Sequence, residues 1–190
     1  VLHFINEDRP EDIVVRKTSN LSGWTKRMIY DNPNAARDEA EQHGWSRYIV
    51  KNAKPGSISD FKREIELEEP DVVIVDQLRN IQVRADNRVN QLEYAATGVR
   101  SIAKDMNVLA VSVTQAGDSA ENKAVLDMGD VDYSNTGIPA QADVMIGVGV
   151  TPELEAEGRR MFSLPKNKIS GDHSSFPVNV VPHLSRVTSL

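Results

Sequence analysis

Asp71-Val72-Val73-Ile74-Val75-Asp76 decides the fold of this 190-residue chain. Four consecutive β-branched residues stand between two aspartates. A run this short and without alternation predicts a strand covered on both faces, as in a parallel sheet. Upstream, Ser57–Glu69 predicts a helix with Ile58, Phe61 and Ile65 on one face, ended by Pro70. Downstream, Gln77–Asn87 shows little period and predicts a loop. Val89, Leu92, Ala96, Val99, Ala103 and Met106 then recur at steps of three and four, which predicts the longest helix. Gly98 inside it costs about 1 kcal/mol relative to alanine. A further strand follows at Val108–Thr114.

Farther out the pattern repeats. Val1–Ile5 predicts a strand, and Pro10 followed by Glu11 and Asp12 starts a helix. Trp24–Asn32 and Asn34–His43 predict two more helices, and Trp45–Val50 a strand. Ala116–Thr136 is a polar loop longer than compact domains usually carry without function. Ala142–Val150 predicts a strand, Pro152–Gly158 a short acidic helix, and Met161–Leu164 with Phe176–Val181 a terminal antiparallel pair. Strands alternating with helices predict an α/β fold: a mostly parallel sheet flanked by helices, with a C-terminal β-hairpin.

Composition narrows the chemistry. Lys and Arg number 22 against 28 Asp and Glu, a net charge of −6, which excludes a simple polycation that coats nucleic acid. There is no cysteine, so disulfides, thiolate catalysis and cysteine-built metal sites are excluded. The four histidines (3, 43, 173 and 183) lack metal-ligand spacing. No apolar run is long enough to span a bilayer, and a cytoplasmic location is expected.

Five residues could carry chemistry. Asp76 ends a buried strand, where α/β sheets bind ligands; four apolar residues and an Asp make the pattern of a Walker B strand, although a strand-ending Asp can also simply cap the next element. Glu7 ends the first strand in Phe4-Ile5-Asn6-Glu7, placed either to polarise a water or as part of an acidic turn. Gln115 ends Val111-Ser112-Val113-Thr114-Gln115, either as a γ-phosphate sensor or as a polar residue at a strand exit. Lys166 and Lys168 in Pro165-Lys166-Asn167-Lys168 share one side of a strand; they reach one phosphate together, or form a solvated hairpin tip. Arg79, Arg84 and Arg88 make a basic island, opposed only by Asp86. The loop 116–136 is acidic, so phosphate contact there rests on backbone N–H groups, Lys123 or hydroxyls such as Ser134.

The order of these segments resembles the RecA-like ATPase domain of replicative hexameric DNA helicases, the DnaB-like family with its phage members. Phe4-Ile5-Asn6-Glu7 with Pro10 and Ile13-Val14-Val15-Arg16 is similar to the segment holding the family's catalytic glutamate. Val72–Asp76 is similar to its Walker B strand, and Ser112-Val113-Thr114-Gln115 to its Ser-Gln sensor. Ala142-Asp143-Val144 resembles the stretch after the second DNA-binding loop, and Lys166-Asn167-Lys168 the hairpin that enters the neighbouring subunit's site. The likeness runs over nearly the whole chain.

The resemblance implies an ATP-dependent motor that translocates on single-stranded DNA and unwinds duplex. Glu7 would activate water, Asp76 would support Mg²⁺ through water, and Gln115 would sense the γ-phosphate of ATP or another NTP. Lys166 and Lys168 would act on the next subunit's nucleotide in a homohexamer. Arg79, Arg84, Arg88, Lys123 and Ser134 would hold the DNA strand, and a primase or helicase loader would be a partner. Two departures stand out. The family places Arg where Lys168 stands, and Lys is a point charge rather than a planar fork; Arg159 or Arg160 offers a substitute. No Gly-x-x-x-x-Gly-Lys-Ser/Thr occurs either, so nothing cradles the triphosphate. Because the chain opens directly on the Val1–Ile5 strand, residues 1–190 are expected to be a single domain lacking its first strand and phosphate loop, with sheet edges and apolar surface exposed. Alternative readings are another RecA-like ATPase, of recombinase or clock type, and a non-catalytic module binding DNA or a partner.

Overall fold

The computed structural model describes residues 1–53, 56–132 and 137–190. Strands β1 (Leu2–Ile5), β2 (Ile49–Asn52), β3 (Val72–Asp76) and β4 (Leu109–Val113) form one wholly parallel sheet in the order β2-β1-β3-β4. Helices α1 (Pro10–Ser22), α2 (Lys26–Asp31) and α3 (Pro33–Glu41) join β1 to β2. Helix α4 (Ile58–Glu68) joins β2 to β3, and α5 (Arg88–Asp105) joins β3 to β4. After the long loop come α6 (Gly137–Gln141), β5 (Val144–Gly149), α7 (Pro152–Ala156), β6 (Arg159–Asn167), β7 (Ser175–Val181) and β8 (Arg186–Ser189). The second sheet is antiparallel, ordered β5-β6-β7-β8.

The α/β class is therefore as expected, with three differences in detail. The terminal pair belongs to a four-stranded sheet, because β6 is nine residues long and pairs along both edges. Strand β8 went unforeseen because Arg-Val-Thr-Ser has no apolar alternation. Trp45–Arg47 forms a 3₁₀ turn rather than the start of a strand, and β2 begins at Ile49.

Local signals account for the helix ends. The Ser57 hydroxyl accepts from Asp60 N–H while the Asp60 carboxylate accepts from Ser57 N–H, a capping box that starts α4. Asn87 caps α5 by accepting from Asn90 N–H at 2.9 Å. Gly98 has a packing reason: a methyl group there would lie 2.7 Å from Cδ1 and Cγ1 of Ile58, so its absence lets α5 approach α4.

The register divides the main sheet into two faces. Leu2, Phe4, Val73 and Val75 share one face and pack on Phe61 and Ile65 of α4 and on Leu92, Ala95, Ala96, Val99 and Ile102 of α5. His3, Ile5, Ile74, Asp76, Val111 and Val113 share the other. The expected cover on both faces holds for β1, whose four residues are all buried. It fails at β4, where Leu109, Val111 and Val113 are exposed, Leu109 to 63%. On β5, Val144, Ile146 and Val148 are likewise exposed, Ile146 to 61%. Strands β4 and β5 are each the edge of their sheet, so aliphatic stripes and unpaired backbone edges coincide on both.

Candidate functional site

Three adjacent parallel strands deliver three of the singled-out residues to one sheet end. Ile5 is in register with Asp76, and Asp76 with Val113. Glu7 and Gln115 each lie two residues beyond those partners, so Glu7, Asp76 and Gln115 stand side by side at the carboxyl ends of β1, β3 and β4. That edge is where open α/β sheets take ligands.

Asp76 is half-buried on the face shared with His3. Burial raises its carboxyl above the ordinary range, and the nearby Asp8 charge raises it further, while Arg16 works the other way. Arg16 is itself bound to Asp8 at 2.7 Å. His3 Nε2 lies 3.9 Å from Asp76 Oδ2, and His3 Nδ1 is 2.7 Å from the Tyr48 hydroxyl. Burial lowers the pKa of His3, keeping the ring neutral, and raises that of Tyr48.

Glu7 is exposed, and its Oε2 accepts from the side-chain amide of Gln77. The peptide between Asp76 and Gln77 is cis. Leu78–Asn80 forms a 3₁₀ turn, within which Arg79 donates to the side-chain oxygen of Gln115. Asn80 Nδ2 donates to the Asn6 carbonyl at 3.3 Å. The segment read as irregular loop thus begins as a turn that touches the loops after both β1 and β4. Asn6, Gln77, His3 and Tyr48 were not singled out in the sequence. Adjacency to Glu7 and Asp76 was the available signal for the first two; nothing local marks the others.

The remaining candidates lie elsewhere. Arg84 is exposed, and Arg88 opens α5 and donates to Gln91 at 2.8 Å. Ser134 falls outside the described residues. Lys123 is engaged within its own loop, bound to Asp127 at 2.9 Å and Asp130 at 2.7 Å. Lys166 donates to the Pro139 carbonyl, and Lys168, just past β6, lies 3.3 Å from Asp143, which also pairs with Arg100 at 3.2 Å. Burial, with Lys168 nearby, lowers the pKa of Lys166. Arg159 and Arg160 are bound to Glu157 and Glu155.

The Lys123 cluster sets the shape of the loop before α6. Asp130 is 4% exposed and accepts from Lys123, from Asp127 N–H at 2.8 Å and from Ser119 at 3.0 Å. Burial opposes its ionisation, but these donors prevail and hold its pKa below the ordinary value. A depressed carboxylate stabilises the fold above the unfolded pKa of about 3.9, and that contribution is lost as pH falls through the folded value. Protection of the Gly117, Asp127 and Gly129 amides against hydrogen exchange should therefore hold at neutral pH and fall below about pH 4. In Asp130→Asn it should already be weak at neutral pH; protection equal to the parent's would remove the carboxylate from this role.

Gly149 fits the same packing. A methyl group there would overlap the Ala124 carbonyl, so β5 and the loop meet backbone to backbone, joined by Val150 N–H to the Lys123 carbonyl at 3.1 Å. Among the described residues no group of three or more His, Asp or Glu side chains could hold a metal ion, and no helix is long and apolar enough to cross a membrane.

No family model matches the chain. A DnaB-like replicative helicase of Enterobacteria phage T4 is 25% identical over 130 residues, covering 64% of this chain and 27% of that protein. A solved ATPase domain of a DnaB-like helicase superposes with a TM-score of 0.81 at 14% identity, over 100% of this chain and 74% of that one. A DnaB-like replicative helicase, described with its interactions with primase, gives 0.79 at 13% identity, over 100% and 50%. A KaiC-like protein of Pyrococcus horikoshii OT3 gives 0.64 at 14% identity, over 100% and 74%. The chain thus spans 27% of the curated relative's length. Its fold is the RecA-like fold of DnaB-like helicase ATPase domains.

Proposed function

We propose that this chain is the larger part of the ATPase motor domain of a replicative DNA helicase, one that hydrolyses ATP or another NTP, translocates on single-stranded DNA and unwinds duplex. The observation that carries the reading is the convergence of Glu7, Asp76 and Gln115 at the ends of three neighbouring parallel strands. The Glu7 carboxylate takes a proton from the attacking water, and the Gln115 amide hydrogen-bonds the γ-phosphate. A degenerate, non-catalytic module would be expected to have lost Glu7 and Asp76, and both are present.

Asp76 suits a magnesium site. Mg²⁺ retains several waters and takes one or two carboxylates beside the substrate phosphates, and a lone half-buried aspartate whose charge is opposed by burial and by Asp8 matches that demand. The ion, when bound, neutralises charge on the phosphate oxygens. We also propose that a strand from a segment outside this sequence lies between the β4 and β5 edges, with a helix over the adjoining face. It would cover Leu109, Val111, Val113, Val144, Ile146 and Val148, and bring a phosphate-binding loop beside Asp76. The quarter of the solved helicase ATPase domain without a counterpart here supports this.

Arg79, Arg84, Arg88, Lys123 and Ser134 hold the backbone of the DNA strand in this reading. Arg84 is the most available of them, and Lys123 must first leave its aspartates. Lys166 and Lys168 stand on the second sheet, in keeping with action on a neighbouring subunit's nucleotide in a homohexamer. A primase or helicase loader is the expected partner.

The test is strand separation on a forked duplex by the full-length protein, with NTP and Mg²⁺. Unwinding is expected; DNA-stimulated hydrolysis without unwinding would transfer the chain to the recombinase or clock-type ATPases, which the KaiC-like superposition keeps in view. Arg84→Ala should weaken single-strand binding and lower the salt slope by about 0.7; an unchanged slope would take Arg84 off the contact surface.

A further inference from the structure

Gln77 has no role in the chemistry described so far, yet it is the most tightly held polar residue at the sheet end. It is 6% exposed. A polar side chain buried to that extent costs stability unless it is bonded, so its contacts indicate what it does. Its backbone N–H donates to Asn6 Oδ1 at 2.6 Å, and its carbonyl accepts from Asn6 Nδ2 at 2.9 Å. Both ends of its peptide unit are therefore locked to the residue immediately before Glu7. With the backbone clamped, the side chain extends one way, and its Nε2–H donates to Glu7 Oε2. The other amide atom, Oε1, is sealed from water and has no partner. Turning the amide over would set that oxygen against the carboxylate, so the bond to Glu7 fixes the amide's orientation.

We propose that Gln77 is a positioning residue for Glu7, holding its carboxylate by one oxygen so that the other faces the attacking water. The inference rests on Glu7 being the water-activating base. A carboxylate on an exposed strand end samples several rotamers, and proton transfer needs one. Misplacing a catalytic group by about 1 Å can cost about 10²-fold in rate. Gln77 also opens the turn whose Arg79 reaches Gln115, so this short run braces the carboxylate and the sensor amide together.

The test uses the full-length protein. Gln77→Met keeps the side chain's length and removes both the donor and the orphaned Oε1, so it should not lower thermal stability. We expect its kcat for ATP hydrolysis to fall by about 10²-fold, with KM and the affinity for a non-hydrolysable ATP analogue unchanged. Gln77→Glu, which sets a second carboxylate against Glu7, should fall at least as far. Combined with Glu7→Gln, Gln77→Met should add no further loss, because it acts through the group already removed. Turnover within about threefold of the parent in Gln77→Met, well under the loss that misplacement brings, overturns the inference. So does a double variant slower than Glu7→Gln alone. If Glu7→Gln itself turns over normally, the reading of Glu7 fails instead, and the two failures are thereby distinguished.

Discussion

Glu7→Gln in the full-length protein is expected to lower ATP turnover by at least about 10²–10⁴-fold, the usual contribution of a positioned general base, while ATP still binds. The reason lies in the change of one atom type. Glutamine keeps the shape and the place after β1, but its amide cannot accept a proton from water. Asp76 and Gln115, which face the metal and the γ-phosphate in the proposed site, are untouched, so affinity for nucleotide persists. Single-turnover hydrolysis, with binding of a fluorescent ATP analogue measured in parallel, separates the two quantities. Turnover near the parent's rate would deny Glu7 the role of base and move attention to Asp8, the next carboxylate along the chain.

Phe4→Ala should destabilise the domain by about 3–5 kcal/mol, the range for emptying a buried aromatic site. Phe4 is 1% exposed and stacks on Phe61 with ring centroids 4.6 Å apart and planes inclined by 24°. It joins the central strand β1 to α4, in a cluster that also holds Val73, Val75 and Ile65. Neighbours in a packed sheet cannot close around a hole of that size, so the cavity term adds to the lost transfer term. With total stabilities of about 5–15 kcal/mol, such a loss removes a large share of the whole. The midpoint of urea denaturation reads it directly. A shift worth less than about 1 kcal/mol, below the range for any core aromatic truncation, would mean that β1 and α4 are not joined through this pair. Because Phe4 lies three residues before Glu7, the same variant should also lose activity at temperatures where the parent retains it.

The strand Val72–Asp76 and the long helix after it were legible because their signals are local. A run of β-branched residues and a step of three and four are properties of neighbours in the chain. Helix starts were legible for the same reason, since Pro10, Ser57 and Asn87 act on amides within a turn of themselves. Strand β8 and the antiparallel pairing of β5 were not, because pairing partners come from distant residues and Arg186–Ser189 has no pattern of its own. The exposed stripe on β4 was also hidden: Leu109, Val111 and Val113 are what a covered strand would carry, and only tertiary placement showed that nothing covers them.

The candidate site divides along the same line. Glu7, Asp76 and Gln115 each end an apolar run, so chain order alone marked them as strand-end residues. Their meeting at one sheet end depends on the order β2-β1-β3-β4, which no local pattern encodes. Lys123 shows the opposite case: it read as a cation available to phosphate, and the fold returns two aspartates of its own loop to it.

What the sequence by itself determined is the set of elements and the chemical type of residue at the end of each strand, because backbone propensity and side-chain period act over a few residues. What only the tertiary structure decided is which of those ends are neighbours, and which side chains hold them. Gln77 grips Glu7 across 70 positions of chain because β1 and β3 are adjacent strands in register, so a contact remote in sequence becomes a hydrogen bond in space.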